Sequence, residues 1–232
     1  NAEYATETFR FSYSSMQTPT AVYDYNLRTR ARELRKQQEI PSGYDPTRYE
    51  VRRIMAPSTG GVRVPVSLLA RKGVRLDGSN PLLLYAYGSY GATMEPTFNS
   101  AVLSLVDRGF VYAIAHIRGG QEMGRQWYDD GKVLKKKNTF VDFIAAAEEL
   151  VRLKYTRPDR LVANGGSAGG LLMGAVANMR PDLFRAIVAD VPFVDVINTM
   201  LDASLPLTAQ EWEQWGNPNK ADEYRYMLSY SP

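Results

Sequence analysis

The sequence predicts an α/β fold in which a parallel β-sheet is covered by helices on both faces. From residue 49 onward, apolar segments of strand length alternate with segments of helical periodicity. Several strand-length segments are apolar at consecutive positions, as is typical of strands buried on both faces. Alternation with helices favours a parallel sheet, because parallel neighbours need a long crossover connection.

The first 40 residues predict a different kind of structure. They contain three short segments, rich in aromatic or alternating residues and separated by polar turns, which is the pattern of antiparallel strands. These segments are residues 9–13, 21–25 and 33–38. Three such strands are too few for a stable unit, and they could be the last part of a repeat array. The turn formers at residues 40–46 then indicate a linker or a domain boundary.

The strands of the second region are predicted by apolar runs and by the turns between them. Residues 49–56 and 62–70 predict a pair of strands joined by the turn at residues 57–61. Four further strands are predicted at residues 81–87, 110–116, 160–164 and 184–190.

Three helices are predicted between these strands. Residues 100–107 and 168–179 are compatible with short helices. Residues 140–155 carry apolar side chains at helical spacing, which predicts an amphipathic helix capped by Asn138 or Thr139. Its apolar face consists of Phe140, Phe143, Ile144, Ala147 and Val151.

Composition restricts the classes of function. Hydrophobic residues make up 44% of the chain and charged residues 23%, as in ordinary soluble globular proteins. The absence of cysteine excludes disulfides, thiolate metal sites and a cysteine nucleophile. A single histidine also excludes a histidine-rich metal site. We expect no metal and no organic cofactor.

Charge and hydropathy argue against nucleic-acid and membrane partners. The net charge of +3 is scattered, and we interpret the run of lysines at residues 135–137 as a solvated basic turn. No apolar run reaches the roughly 18 residues that span a bilayer. The first eleven residues show neither the basic nor the apolar region of a signal peptide.

The motif G-x-S-x-G supplies a candidate nucleophile. Gly165, Ser167 and Gly169 lie between a predicted strand and a predicted helix, which is the context of a nucleophile elbow. Small neighbours allow a strained turn that exposes the serine, and the following helix aims free N–H groups at developing negative charge. A phosphate-binding loop and a purely structural turn are the alternatives, but the lysine of a P-loop is missing.

The base that a serine nucleophile needs is not evident. His116 is the only histidine; it precedes Ser167 and closes a predicted strand, so we expect it to be packed rather than catalytic. The usual order in α/β-hydrolases is Ser, then Asp or Glu, then His. No histidine follows Ser167, so the sequence holds half of a triad, and we expect the 232 residues alone to be inactive.

Several ordered motifs resemble the prolyl oligopeptidase family. They are residues 85–91, 107–120, 165–170 with 180–184, and 228–232, while residues 191–196 and 206–218 resemble the oligopeptidase B branch. The resemblance implies an N-terminal β-propeller and a C-terminal α/β-hydrolase domain with a doubly wound sheet. By it, residues 1–40 are the end of the propeller, residues 41–232 are the first part of the hydrolase domain, and the triad Asp and His lie beyond Pro232.

The resemblance also implies catalytic roles. Ser167 matches the nucleophile, and the backbone N–H of Ala168 and the hydroxyl of Tyr87 match the two oxyanion donors. From the residues alone, Tyr87 could equally be a core tyrosine at the end of a buried strand. Arg118 and Asn138 lie in matching motifs, and we assign them structural roles.

Acidic residues match positions that bind basic substrates. Glu211 and Glu213 lie where oligopeptidase B selects a basic P1 side chain, since carboxylates bind Lys and Arg by charge-assisted hydrogen bonds. The residues alone would instead suggest a solvated amphipathic segment. Glu95 matches a position that contacts a basic P2 side chain, whereas Thr97 stands where a second acid is expected.

The first functional hypothesis is a cytoplasmic serine endopeptidase that cleaves short peptides after Lys or Arg. Its partners would be short peptides with a basic P1 residue and the remainder of the same polypeptide, not nucleic acid or membranes. A second hypothesis is another hydrolase of this fold, such as an acylaminoacyl peptidase or an esterase. A third is a catalytically inactive fragment with a structural role.

Overall fold

The computed structural model describes residues 3–232 and contains two β-sheets. Residues 1 and 2, which belong to the predicted propeller segment, lie outside the described residues. The first sheet has the order β1-β2-β3 and is antiparallel, as predicted, with Thr8 opposite Asn26 and Tyr13 opposite Ala21. Its strands are β1 (Thr8–Tyr13), β2 (Ala21–Asn26) and β3 (Arg32–Gln37).

The second sheet has six strands in the order β4-β5-β7-β6-β8-β9. They are β4 (Tyr49–Pro57), β5 (Arg63–Arg71), β6 (Leu82–Tyr85), β7 (Val111–Ala115), β8 (Leu161–Gly166) and β9 (Ala186–Asp190). The strands β7, β6, β8 and β9 are parallel, but β4 pairs antiparallel with β5, and β5 pairs antiparallel with β7. The sheet is therefore mixed rather than parallel throughout. The physical reason is that β4 and β5 form a hairpin, and residues 72–81 contain no crossover helix between β5 and β6.

Seven α-helices occur among residues 3–232, of which three were predicted. The predicted ones are α1 (Ser100–Val106), α3 (Lys137–Arg152) and α4 (Ala168–Met179). The others are α2 (Arg125–Asp129), α5 (Val196–Leu201), α6 (Thr208–Trp215) and α7 (Ala221–Leu228). None of the helices in these residues is long and apolar enough to cross a membrane.

The predicted cap of α3 is wrong. The helix begins at Lys137, so Asn138 and Thr139 lie in its first turn rather than before it. The amide Nδ2 of Asn138 donates to the carbonyl oxygen of Asp130 at 2.9 Å, and the Thr139 hydroxyl donates to that of Gly131 at 3.3 Å. Both side chains fix the preceding loop instead of capping the helix, which fits a structural role for Asn138.

The main core lies between the six-stranded sheet and the helices α3 and α4. Phe140 and Phe143 of α3 and Leu171 and Leu172 of α4 are fully buried against strand residues such as Leu84. A smaller cluster around Met16, Tyr49 and Val106 connects the N-terminal sheet to this unit. On this face of the sheet, α4 packs against β8, the strand that leads to Ser167.

A buried ion pair connects the end of β7 to α3. The Arg118 guanidinium donates from Nε to Oδ2 of Asp142 at 2.8 Å and from Nη2 to Oδ1 at 2.6 Å. The Ser58 hydroxyl adds a bond to Oδ1 at 2.5 Å, and the Arg118 backbone N–H donates to Oδ2 at 3.0 Å. Asp142 is fully buried. Each carboxylate oxygen has at least two donors, which offsets much of its desolvation.

Removing Asp142 should therefore destabilise the fold strongly. We expect Asp142→Ala to lower the free energy of unfolding by about 3–5 kcal/mol, because it leaves a buried guanidinium without its partner. Denaturant titration of the complete polypeptide measures the loss. Asp222→Ala is the matched control: it breaks the exposed pair with Arg225 and should cost less than about 1 kcal/mol. Equal effects would show that the buried pair is not a major support.

Candidate active site

Ser167 occupies a sharp turn between β8 and α4. Its backbone has φ 55° and ψ −115°, a strained conformation for a residue with a side chain. A Cβ at Gly165 would overlap the carbonyl oxygen of Gly169, and one at Gly169 would lie 2.9 Å from the carbonyl oxygen of Ala86. The small residues of the motif are therefore required by backbone contacts. Ser167 itself is exposed.

Ala168 is the first residue of α4. The N–H groups of the first four helical residues have no acceptor within the helix, and the helix dipole makes this end positive. The turn that carries Ser167 is fixed to β9 by a bond from its backbone N–H to the carbonyl oxygen of Asp190 at 2.9 Å. The Ala168 N–H is thus available beside the serine as a donor to negative charge.

Tyr87 follows β6 and lies beside Ser167. Burial raises the pKa of the Tyr87 hydroxyl, and a hydrogen-bonding interaction with the Ser167 side chain opposes this increase. The charge of Glu211 also raises it. The hydroxyl is therefore protonated at neutral pH and can donate to an oxyanion. Its interaction with Ser167 shows that the fold brings Tyr87 close to Ser167 and Ala168.

A cavity of about 410 Å³ opens next to Ser167; we call it the Ser167 cavity. Its walls are mainly apolar and include Phe193, Met200, Pro206 and Trp215. Glu211 supplies the one carboxylate among the described residues that line it. Such a cavity suits a side chain with an apolar stem and a positively charged end.

Two donors hold the Glu211 carboxylate. Its Oε2 accepts a bond from the Tyr90 hydroxyl at 2.7 Å and another from Nε1 of Trp215 at 2.6 Å. The backbone N–H of Tyr90 donates to Oε1 of Gln214 at 3.2 Å. Burial and the neighbouring Glu211 raise the pKa of Tyr90, so its hydroxyl stays a donor. The side chain of Glu211 is thus fixed at the cavity wall.

The other predicted acids are not brought to the Ser167 cavity. Glu213 is exposed and lies about 200° around α6 from Glu211, as expected for residues two positions apart in a helix. Glu95 is also exposed, in the loop after β6, and neither residue lines the cavity. Of the three predicted acids, only Glu211 lines the Ser167 cavity, and its charge acts on Tyr87.

The interpretation of residues 135–137 as a solvated basic turn is wrong for Lys136. Lys136 is only 1% exposed, and its Nζ donates to the carbonyl oxygen of Gly88 at 2.7 Å and to the hydroxyl of Ser89 at 2.8 Å. It also lies 5.1 Å from the centre of the Trp215 ring. Burial lowers the pKa of Lys136 from its usual value of 10.5 to about 7.

A sequence signal for the burial of Lys136 existed. Lys136, Phe140 and Phe143 have the spacing i, i+4, i+7, so the apolar stripe of α3 extended backward by one turn passes through Lys136. Lys135 behaves as expected, since it is exposed and pairs with Asp130 at 2.7 Å. The three consecutive charges at residues 135–137 favour a solvated turn, whereas the helical spacing indicates that Lys136 is buried.

His116 is packed away from Ser167, as predicted. It is 1% exposed, its Nε2 lies 2.8 Å from the Ser67 hydroxyl, and its Nδ1 lies 3.5 Å from a Glu122 carboxylate oxygen. It is the only histidine of the chain. No cluster of three or more His, Cys, Asp or Glu side chains that could hold a metal ion is found within residues 3–232.

Comparison with known proteins identifies the family. A family model described as "Prolyl oligopeptidase family" matches residues 96–232, which is more than half of the chain. The chain belongs to the prolyl oligopeptidase family. The members of this family are serine peptidases, which agrees with the exposed serine on its elbow.

Individual relatives match nearly the whole chain. Dipeptidyl aminopeptidase BI of Pseudoxanthomonas mexicana is 54% identical over 100% of this chain and 32% of that protein. Protease 2 of Moraxella lacunata is 46% identical over 99% of this chain and 33% of that protein. The solved structure of oligopeptidase B from Leishmania major is 52% identical with a TM-score of 0.92, covering 99% of this chain and 32% of that one. This chain therefore spans about a third of the length of these relatives.

The burial of Lys136 predicts a dependence of stability on pH. Because the folded lysine has the lower pKa, the unfolded chain binds more protons between about pH 7 and pH 10, so stability rises with pH across this range. We expect the free energy of unfolding of the unsubstituted protein, relative to Lys136→Met, to rise by on the order of 1 kcal/mol per pH unit there. Denaturant titrations of both proteins from pH 6 to pH 10 measure it. Parallel pH profiles would contradict the lowered pKa.

Proposed function

We propose that the polypeptide containing this chain is an oligopeptidase B-like serine endopeptidase that cleaves short peptides after Lys or Arg. The observation that carries the proposal is the position of Glu211, a fixed carboxylate in an otherwise apolar cavity beside Ser167. Solved structures of oligopeptidase B from two organisms resemble this chain with TM-scores of 0.92. One of these is described as having covalently bound antipain.

The domain assignment belongs to the same proposal. Residues 1–40 would be the last strands of a β-propeller, and residues 41–232 would be the first part of the α/β-hydrolase domain. The antiparallel sheet β1–β3 and the separate six-stranded sheet support this division. The cytoplasmic location that the family resemblance implies stays a prediction.

The proposed reaction begins with attack of Ser167 Oγ on the scissile carbonyl carbon. The hydroxyl proton passes to a general base, and the oxyanion accepts hydrogen bonds from the Ala168 N–H and the Tyr87 hydroxyl. The C–N bond then breaks, the leaving amine takes the proton, and water hydrolyses the acyl-enzyme by the same route in reverse. Since His116 is packed elsewhere, the base and its orienting acid would come from the rest of the polypeptide.

Glu211 would select the P1 residue. The methylene stem of Lys or Arg packs against the apolar walls, while its charged end reaches the carboxylate. Oε2 of Glu211 already accepts two protein bonds, and among the described residues no donor bonds to Oε1, which leaves that oxygen for the substrate. A charge-assisted bond of this kind contributes about 1.5–3 kcal/mol.

A second candidate is release of dipeptides from a free N-terminus. The relative named dipeptidyl aminopeptidase BI, at 54% identity, supports it. Peptides that differ only in acetylation of the N-terminus separate the two activities: an endopeptidase cleaves both, whereas a dipeptidyl aminopeptidase cleaves the free form. The same assay with neutral P1 amides and with esters tests an acylaminoacyl peptidase or an esterase, and an inactive fragment would cleave none of them.

Ser167→Ala tests the nucleophile. In the complete polypeptide, we expect kcat to fall by several orders of magnitude while the fold is retained, because no acyl-enzyme can form. Peptide hydrolysis measures the loss, and a fluorophosphonate probe should label the unsubstituted enzyme at Ser167 alone. Ser229→Ala, at an exposed serine of the chain, is the matched control. An adduct on a different serine would refute the assignment.

Glu211→Gln tests the P1 specificity. We expect kcat/KM to fall roughly ten- to hundredfold for a substrate with Arg at P1 and little for the same substrate with citrulline, its uncharged isostere. Steady-state kinetics of the complete polypeptide with both substrates measure the ratio. Glu213→Gln, on the exposed side of the same helix, should leave that ratio unchanged. If Glu211→Gln preserves the preference for Arg, basic specificity is set elsewhere.

A further inference from the structure

Lys136 contacts the two segments that hold Glu211. Its Nζ bonds to Gly88 and Ser89, directly before Tyr90, and it faces the ring of Trp215. Tyr90 and Trp215 are the two donors to Glu211 Oε2, and their rings pack edge to face with centres 5.7 Å apart. Lys136 thus lies behind the donors rather than in the Ser167 cavity, which it does not line.

Lys136 is buried without forming an ion pair. Within residues 3–232, no carboxylate lies within 4.0 Å of its Nζ, although Lys136 is almost fully buried. A buried lysine without a counter-ion is costly, so a hydrophobic residue of similar size would serve simple packing better. Lys136 has a specific role as a hydrogen-bond donor instead. Without it, the Gly88 carbonyl oxygen and the Ser89 hydroxyl would each lose a buried hydrogen bond.

The turn fixed by Lys136 has a strained part. Tyr90 has φ 59°, in the left-handed region that residues with side chains rarely adopt. Gly88 has φ 71°, and a Cβ there would lie 2.5 Å from Thr139 Cγ2. Gly88 is therefore held by packing as well as by Lys136, whereas the orientation of Tyr90 depends on the bonds around Ser89 and on Gln214. Tyr87 is anchored by β6 on the other side of Gly88.

We propose that Lys136 is a positioning residue for substrate specificity, which fixes Tyr90 and Trp215 so that they hold the Glu211 carboxylate toward the P1 side chain. The inference rests on the proposed function of Glu211. It assigns Lys136 an effect on the binding of a basic P1 residue and not on the chemical step. An uncharged amine still has two N–H groups, so both bonds of Lys136 persist when it loses its proton near neutral pH.

Kinetics of Lys136→Met in the complete polypeptide test the proposal. Methionine has a similar length but cannot donate to Gly88 or Ser89. We expect KM for the Arg substrate to rise about tenfold, which corresponds to the loss of one hydrogen bond's contribution, while kcat changes less than about twofold and the citrulline KM changes little. Lys135→Met, at the exposed neighbour, should leave all values unchanged.

A double variant separates positioning from general support. If Lys136 acts through Glu211, Lys136→Met should reduce the Arg-to-citrulline ratio no further in a Glu211→Gln background. Ser89→Ala removes one of the two acceptors and should raise the Arg KM about threefold, which provides a test if Lys136→Met fails to fold. Thermal unfolding of each variant checks the fold.

The results distinguish the inference from the proposed function. If Glu211→Gln abolishes the preference for Arg but Lys136→Met and Ser89→Ala leave it intact, the positioning role is wrong and the function of Glu211 stands. A fall in kcat that is equal for both substrates would show a merely structural role and would also overturn the inference. If Glu211→Gln itself preserves the preference, the proposed specificity fails first.

Discussion

The close approach of backbone segments around Ser167 is the constraint on which the site depends. Gly169 lies so near the carbonyl oxygen of Ala86 that only a residue without a Cβ fits between α4 and the end of β6. This contact sets the distance between Ser167 and Tyr87, the residue after Ala86. The Ser167 carbonyl oxygen also accepts a bond from the backbone N–H of Phe193 at 3.1 Å, which places a wall of the Ser167 cavity relative to the nucleophile. The nucleophile, an oxyanion donor and the cavity wall are thus positioned by one set of backbone contacts.

The elements of the fold follow from local patterns to different degrees. The nine strands and the helices α1, α3 and α4 were predictable, because apolar runs and helical spacing decide them. The helices α2, α5, α6 and α7 were missed, because segments of five to eight residues show about two turns of helical periodicity at most and, unlike α1, none of them supplies the crossover between two predicted strands. The pair β4 and β5 was predicted, but its antiparallel attachment to β7 was missed, because a hairpin sequence gives no signal for which neighbouring strand it joins.

The residues of the candidate site were also predictable from the sequence to different degrees. The small residues around Ser167 reveal the elbow, because backbone contacts dictate residue type there. Tyr87 and Glu211 were reached only through family resemblance, since tertiary folding alone brings positions 87, 167 and 211 together. Glu213 shows the limit of that resemblance: helical geometry turns it away from Glu211 although the two are close in sequence. Lys136 is the opposite case, because its charge suggested solvent while its spacing suggested the core.

The attraction of a basic substrate to the Ser167 cavity depends on nearby charges rather than on the net charge of the chain. The chain carries a net charge of +3, which gives no overall attraction for a basic peptide. Exposed charges are screened over about 8 Å at physiological ionic strength. The Coulomb attraction between unit charges about 4 Å apart is about 4 kcal/mol near a protein surface and about 1 kcal/mol in water, before the cost of desolvation. One fixed carboxylate among apolar walls can therefore outweigh the scattered surface charge. A buried ammonium behind Trp215 would work against a substrate cation in the same region. The desolvation that lowers the pKa of Lys136 to about 7 weakens this repulsion at and above neutral pH, while the hydrogen bonds that orient the donors to Glu211 are kept.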